Sequence, residues 1–129
     1  MHEPIPSNVE TVAARLLDAA FEVHRKLGPG LLESVYEVCI CHELTKLSVP
    51  FQRQVALPIN YDGIMIEAGL RLDSVVASSV IVELKAIESI LPVHEAQLLT
   101  YLKLTGMRLG FLLNFNVPLL KNGIKRIVL

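Results

Sequence analysis

Three charged residues interrupt two neighbouring apolar stretches of the chain. Asp73 follows one stretch, and Glu83 and Lys85 lie two positions apart in the next. Residues two apart in a strand project from the same face. Buried charges are costly unless they are paired or bound to a metal, so this group needs a reason. Two carboxylates beside a lysine could hold Mg²⁺, and the lysine could then polarise an attacking water or stabilise charge on phosphorus.

A structural ion pair is the alternative interpretation of the same residues. Lys85 would then neutralise Glu83 or Asp73 across a sheet. Because the pattern E-x-K is common by chance, these residues alone leave both interpretations open.

A second polar group follows on a predicted helix. His94, Gln97 and Tyr101 are spaced i, i+3, i+7 and share one face. Gln97 and Tyr101 could contact a nucleic-acid phosphate or hold Lys85 in place. The alternative is that the Tyr101 ring packs in the core and Gln97 caps a backbone group. For His94, a local hydrogen bond in the first helical turn is the preferred interpretation.

A third polar group opens an earlier helix, where Glu33, Tyr36 and Glu37 share a face. The helix dipole also favours an acidic residue in a first turn, so Glu33 has a purely structural alternative. Cys39 and Cys41 follow on the same helix. Since no second cysteine pair completes a zinc site, we interpret them as buried or half-buried thiols in a reducing compartment.

The elements that must position these residues follow from the hydrophobic pattern. It predicts helices over about 7–27, 31–47 and 92–104, and strands over about 51–60, 64–75, 80–87, 109–115 and 124–129. Ser7 and Glu10 match a capping box, and Pro58 indicates that the first strand lies at an edge of the sheet or ends near this residue. The hairpin between the second and third strands brings Asp73 alongside Glu83. We expect one domain over residues 1–129.

Composition excludes several functional classes. The 129 residues are 52% hydrophobic and 19% charged with a net charge of -1, so neither a disordered chain nor a globally basic nucleic-acid binder fits. The longest stretch without a charged residue or histidine, 109–120, is too short to span a membrane. The start, Met1-His2-Glu3-Pro4, lacks the features of a signal peptide. We therefore expect a cytoplasmic protein, and the surplus apolar surface is consistent with a homodimer.

The segment Gly30-x-x-Glu33-x-x-Tyr36 resembles the motif that names the GxxExxY proteins, a small group within the PD-(D/E)XK nuclease superfamily. The resemblance runs over nearly the whole chain, from the first helix to Ile127. By this resemblance, Glu33 matches the acidic residue that the superfamily carries on a helix before the sheet.

Further motifs of the resemblance occur in the right order. Asp73 matches the metal-binding aspartate of the superfamily, and Glu83 and Lys85 match its E-x-K. Gln97 and Tyr101 resemble the Q-x-x-x-Y helix motif of exonucleases associated with recombination helicases. The resemblance implies a restriction-endonuclease-like α/β core, ordered α-β-β-β-α-β, with a mixed sheet flanked by helices. It also implies Mg²⁺ or Mn²⁺ dependence and phosphodiester hydrolysis, and it favours DNA over RNA. The one departure is Leu72, which stands where the superfamily's name expects proline.

The resemblance assigns a metal set. Asp73 and Glu83, with the main-chain carbonyl of Leu84, would bind one divalent cation. Glu33 would contribute through a water molecule or bind a second metal.

The remaining roles concern water and substrate. Lys85 would orient or deprotonate the nucleophilic water, while Gln97 and Tyr101 would position the phosphodiester or Lys85 itself. Arg71 is expected on the strand face of Asp73, where it could pair with a carboxylate or contact the substrate backbone.

The main rival is a non-catalytic module that uses a nuclease-like fold for protein interaction or assembly. It is favoured by the lack of strongly clustered basic residues, which duplex binders usually carry. The local candidates for a basic patch are Arg25, Lys26, Arg53, Lys121, Lys125 and Arg126. A phosphoesterase acting on a smaller substrate is a third hypothesis. A nuclease of this size is expected to take its specificity from a protein partner or a dimer.

Overall fold

The computed structural model of the protein describes residues 3–129, with the backbone alone at residue 68. Met1 and His2 lie outside the described residues. The expectation about a signal peptide rests in part on these two residues. The elements, in chain order, are α1 (Ser7–Leu27), α2 (Glu33–Lys46), β1 (Phe51–Tyr61), β2 (Ile64–Val76), β3 (Val80–Lys85), α3 (Pro92–Thr105), β4 (Leu109–Asn114), a 3-10 turn (Leu120–Gly123) and β5 (Ile124–Val128).

One mixed sheet of five strands organises these elements, in the order β1-β2-β3-β4-β5. Neighbouring strands are antiparallel except β3 and β4, which are parallel and are connected through α3. A parallel pair needs such a crossover, because a tight turn reverses the chain. The predicted α/β class, element order and mixed sheet flanked by helices are confirmed, and β1 is an edge strand, as Pro58 indicates.

Two apolar clusters bury the sheet, one on each face. Helices α1 and α2 cover one face, where Leu16 and Ile40 pack in the same cluster as Val82. Helix α3 covers the other face, where Leu98 packs in a cluster with Ile81. Every residue of β4 is buried, as its continuous apolar sequence predicts. Both helical layers therefore meet the sheet around β3 and β4.

The start of α1 differs from the prediction. Pro6 occupies the N-cap position and its carbonyl accepts the N–H groups of Val9 and Glu10, so Ser7 already lies inside the helix. The predicted capping box of Ser7 and Glu10 is therefore wrong. A proline can precede a helix at no cost because it has no N–H to satisfy.

The tip of the β1–β2 hairpin is more exposed than the alternating pattern predicts. Ile64, Met65 and Ile66 are all exposed, and so is Tyr61 across the turn. Consecutive strand residues point to opposite faces, so neither face of the tip is covered by a helix. Among residues 3–129, the helices are too short or too polar to be membrane spans.

Candidate active site

The sheet is interrupted at Asp73. The ladder of β2 and β3 ends at the pair of Ser74 and Val82, one residue before Asp73 is reached. On the other side, β1 pairs with β2 before and after this level but skips Gln54 and Asp73. Gln54 has a left-handed backbone with φ 51°. We call this interruption, formed by Gln54 and Asp73, the sheet gap.

Side chains take over the hydrogen bonds that strands would make beyond the sheet gap. The N–H of Asp73 donates to Oε1 of Glu83 at 3.2 Å, and the N–H of Leu84 donates to Oδ2 of Asp73 at 2.9 Å. The two carboxylates thus lie side by side on adjacent strands, as the hairpin pattern predicts. Each of them keeps one oxygen that these two backbone N–H groups do not use.

Burial and the proximity of Asp73 change the titration of Glu83. Glu83 is only 7% exposed. Its burial, the neighbouring charge of Asp73 and a hydrogen bond between the two carboxyl groups raise the pKa of Glu83 from 4.5 to about 8. The charge of Lys85 offsets this effect in part. Near neutral pH Glu83 therefore keeps its proton, because burial beside Asp73 disfavours its charged form.

Lys85 is the last residue of β3. Its strand pairs with β4 without interruption from Val80 onwards, so Lys85 and Glu83 lie on the same face. Throughout residues 3–129, no carboxylate oxygen lies within 4.0 Å of the Lys85 ammonium. The ion pair that would make this group purely structural is therefore not formed.

Glu33 reaches the end of the same strand from α2. Its Oε2 accepts the backbone N–H of Ala86, the residue after Lys85, at 3.1 Å. Glu33 is the first residue of α2, so its placement depends on the loop that precedes the helix.

Tyr36 holds that loop in place. Its hydroxyl donates to the carbonyl of Gly28 at 2.6 Å and accepts the N–H of Leu31 at 3.1 Å. Its ring is fully buried and stacks on Phe115, with ring centroids 4.4 Å apart. Gly30 has φ 98°, a conformation that glycine adopts most readily. In this motif Gly30 forms the turn before α2, Glu33 points to the end of β3, and Tyr36 anchors the turn.

A cleft of about 530 Å³ opens between the start of α2 and the sheet gap. Its lining residues are Leu31, Leu32, Glu33, Ser34, Glu37, Gln54, Asp73, Leu84 and Ala86. It contains Glu33, Asp73 and Leu84, to which the sequence assigned roles, and Glu37, which the sequence placed on the face of Glu33 without a role. It also contains Gln54, which the sequence did not single out. The signal for Glu37 was its position one turn after Glu33. Gln54 carried no signal, because glutamine seldom adopts a left-handed backbone.

The residues expected to bind substrate lie at different depths. The ring of Tyr101 is buried in the cluster beneath α3, which agrees with the alternative interpretation that this ring packs in the core. Burial raises the pKa of Tyr101, and the negative charges of Glu83 and Asp73 add to the effect. Gln97 is exposed one turn earlier on α3.

Arg71 and His94 make local contacts. Arg71 is exposed and donates to the backbone carbonyl of Gln54 at 3.1 Å, so it borders the sheet gap. The N–H of Leu91 donates to Nδ1 of His94 at 2.9 Å, which confirms the local hydrogen bond predicted for this histidine.

Asn114 is a residue near the site that sequence reasoning missed. It is buried opposite Lys85 in the parallel ladder. Its side chain accepts the N–H of Ile87 at 3.1 Å and donates to the Ile87 carbonyl at 2.9 Å. Asn114 therefore extends the pairing of β3 and β4 by side-chain bonds and fixes the backbone beyond Lys85. Its signal was a polar residue in a strand that is otherwise apolar.

The donor atoms fit a hard divalent cation. Within the described part of the chain, no three His, Cys, Asp or Glu side chains gather as a ready metal site. Asp73 and Glu83 do supply two adjacent carboxylates, of which Glu83 is buried, an arrangement that a cation would neutralise. Both donors are oxygens, which Mg²⁺ and Mn²⁺ prefer. Glu33 already uses one of its oxygens to accept the N–H of Ala86.

Most of the candidate basic patch is neutralised within the chain. Arg25 and Lys26 pair with Glu22, and Arg126 pairs with Glu10. Arg53 lies 3.5 Å from Glu37. These basic side chains are therefore engaged by the protein's own carboxylates.

A family model for the PD-(D/E)XK nuclease superfamily matches residues 10–127. Neither the curated proteins nor the solved structures include a significant match to the chain.

Proposed function

Since the chain belongs to the PD-(D/E)XK nuclease superfamily, we propose that it is a metal-dependent nuclease that hydrolyses phosphodiester bonds of DNA. The observation that carries this proposal is the adjacent pair of Asp73 and Glu83 at the sheet gap, with Lys85 on the same face as Glu83. We also propose that the chain is a GxxExxY protein, which is supported by the way Tyr36 anchors the loop before Glu33.

Asp73 and Glu83 would hold Mg²⁺ or Mn²⁺, together with the main-chain carbonyl of Leu84. When bound, the cation would lower the pKa of a water molecule and neutralise phosphate charge. The raised pKa of Glu83 supports this assignment, because a cation would offset the burial and the repulsion from Asp73 that otherwise keep a proton on Glu83. Glu33 would act through a water molecule or a second metal, since one of its oxygens is already committed to Ala86.

The other side chains would act on water and substrate. Lys85 would orient or deprotonate the attacking water, which is supported by its freedom from ion pairs within residues 3–129. Tyr101 would position Lys85 or the phosphodiester from beneath, and Gln97 would do so from the exposed face of α3. Arg71, at the border of the sheet gap, would contact the substrate backbone.

Assembly and location are further parts of the proposal. The exposed apolar tip of the β1–β2 hairpin supports a homodimer or a protein partner that supplies specificity. The free thiols of Cys39 and Cys41 support a cytoplasmic location, since disulfides are rare there. The family match over residues 10–127 supports a single domain over 1–129.

The decisive experiment is a cleavage assay on end-labelled single- and double-stranded DNA and RNA, with Mg²⁺, Mn²⁺ or EDTA. Lys85→Ala tests the mechanism, and Lys46→Ala is the matched control, because Lys46 is exposed, lies outside the cleft and pairs with Glu43 on α2. We expect cation-dependent cleavage of DNA by the wild type and Lys46→Ala and its loss in Lys85→Ala. Equal cleavage by Lys85→Ala would sink the mechanism.

A non-catalytic module is the second candidate, and the internal pairing of Arg25, Lys26, Arg53 and Arg126 favours it. Such pairing leaves fewer positive charges for a nucleic-acid backbone. Absence of cleavage on every nucleic acid, together with no calorimetric binding of Mg²⁺ or Mn²⁺, would support this module instead.

A further inference from the structure

Glu37 is a buried carboxylate that the proposed mechanism does not use. It lies one helical turn after Glu33 on α2 and is only 6% exposed. Both of its oxygens accept hydrogen bonds from the side-chain amide of Gln54, at 3.1 and 3.3 Å. Arg53 lies 3.5 Å away and supplies the opposite charge. A buried carboxylate is retained at such a cost only when its partners satisfy it.

Both partners of Glu37 belong to β1, at the level of the sheet gap. Gln54 has the left-handed backbone that removes it from the ladder opposite Asp73. This conformation is strained for a residue other than glycine and persists only where the surroundings enforce it. Two contacts hold Gln54. Its side-chain amide donates to the carboxylate of Glu37, and its backbone carbonyl accepts a hydrogen bond from the guanidinium of Arg71.

The gap in turn determines what Asp73 can do. A regular ladder would pair the backbone of Asp73 with Gln54 and impose the ordinary strand geometry on it. In the gap, the N–H of Asp73 instead turns to Glu83, and its carboxylate accepts the N–H of Leu84. The conformation of Gln54 and the direction of the Asp73 carboxylate are therefore linked through one break in the sheet.

We propose that Glu37 is a positioning residue, which holds Gln54 in its left-handed conformation and thereby keeps the Asp73 carboxylate on the N–H of Leu84. Its catalytic consequence rests on the proposed function, whereas its structural consequence does not. Glu37 itself touches neither metal nor substrate and acts through Gln54.

The test compares Glu37→Gln and Glu37→Leu with Glu43→Gln. Glu43 is on the same helix, lies outside the cleft and pairs with Lys46, so it controls for loss of a half-buried acidic residue from α2. Glutamine at position 37 still offers one oxygen to Gln54, and this isosteric variant keeps the test valid if the leucine variant fails to fold.

The first measurement is amide hydrogen exchange and ¹⁵N–¹H shifts of the metal-free protein without nucleic acid. We expect Glu37→Leu to lower the protection of the Leu84 amide about tenfold relative to the Leu112 amide in β4, and Glu37→Gln to do so less. Glu43→Gln leaves it unchanged. The proposal is overturned if both Glu37 variants keep the wild-type ratio of Leu84 to Leu112 amide protection. It is also overturned if both amides lose protection equally, because that would indicate general destabilisation only.

The second measurement is Mn²⁺ affinity and steady-state cleavage. We expect Glu37→Leu to weaken Mn²⁺ binding by about 10–100-fold, the usual effect of removing a residue that orients a metal ligand. We also expect it to lower kcat with KM little changed. If the wild type cleaves nothing, the proposed nuclease fails, while the Leu84 amide still decides the role of Glu37. Unchanged Mn²⁺ affinity and kcat in a folded Glu37→Leu variant would refute its positioning role in catalysis.

Discussion

Glu33 at the start of α2 accepts the backbone N–H of Ala86 at 3.1 Å, and these residues are 53 positions apart in the chain. The bond fixes the helix to the strand end that carries Lys85. Because its donor is a backbone group, the contact does not depend on which side chain stands at position 86. Glu33 therefore has a structural role in the fold, in addition to the role in metal or water binding that we propose.

Substitution of Glu33 by glutamine separates these two roles. The amide oxygen of glutamine can still accept the Ala86 N–H, so we expect the free energy of unfolding to change by only about 0.5 kcal/mol. The lost carboxylate should reduce metal-dependent cleavage about 10–100-fold. Urea unfolding and the cleavage assay check this. Full activity in Glu33→Gln would restrict Glu33 to the structural role.

The pH dependence of stability reports on Glu83. In the metal-free folded protein its pKa is about 8, above the ordinary value of 4.5, so the folded state binds more protons between these values. The resulting stability is complete below pH about 4.5 and is lost as the pH rises towards 8. We expect the free energy of unfolding in EDTA to fall over this range in the wild type, and less so in Glu83→Gln. Parallel curves for the two proteins would contradict the raised pKa.

Divalent cations should stabilise the folded protein through the same carboxylates. A ligand that binds only the native state adds about 2.7 kcal/mol at one hundred times its dissociation constant. We expect saturating Mn²⁺ to raise the unfolding temperature of the wild type. Asp73→Asn should show little of this rise. Glu22→Gln is a suitable control, because its carboxylate binds Arg25 and Lys26 on α1. An equal rise in all three proteins would indicate binding elsewhere.

The hydroxyl of Tyr36 should contribute to the free energy of unfolding in addition to the packing of its ring. Tyr36→Phe keeps the stacking on Phe115 but leaves the carbonyl of Gly28 and the N–H of Leu31 without their partner. We expect a loss of about 1–3 kcal/mol in the free energy of unfolding. Tyr61→Phe, at the exposed tip of the hairpin, should change it far less. Equal stability of the two variants would argue against the hydroxyl as an anchor.

Gly123 should not accept a side chain. A Cβ atom there would lie 2.1 Å from the carbonyl oxygen of Asn114, at the end of β4. Overpacking of this kind typically costs about 1–3 kcal/mol, and a backbone clash can cost more. We expect Gly123→Ala to be clearly destabilised in thermal unfolding, with Asn122→Ala, its exposed neighbour, close to wild type. A stable Gly123→Ala would mean that the backbone after β4 moves readily.

The carboxylate pair could be predicted from sequence because it depends only on the number of residues between Asp73 and Glu83 and on the alternation of side chains along a strand. A tight turn after β2 places Asp73 opposite Glu83 whatever the surrounding sheet, and the alternation of β3 puts Lys85 on the face of Glu83. The break in the ladder could not be predicted, since it depends on Gln54 in a conformation that its residue type disfavours.

Long-range partners were equally inaccessible to sequence reasoning. The bond between Glu37 and Gln54 joins a helix to an edge strand, and that of Asn114 with Ile87 joins two strand ends separated by a helix. Periodicity reports which face a residue occupies but not which neighbour it meets. The capping box at Ser7 failed for a local reason, because Pro6 already receives the first helical N–H groups.

The parallel pairing of β3 with β4 has a consequence for synthesis on the ribosome. β3 carries Glu83 and Lys85, but its second edge is covered only by Leu109–Asn114, which are translated after all of α3. During that interval the nascent chain exposes one open edge of β3, a strand that is almost fully buried in the finished fold. The carboxylate pair can form early within its hairpin, and Glu33 can already accept the N–H of Ala86, whereas the backbone of Ile87 gains its bonds only when Asn114 arrives. The site is therefore completed only after all of α3 has been translated.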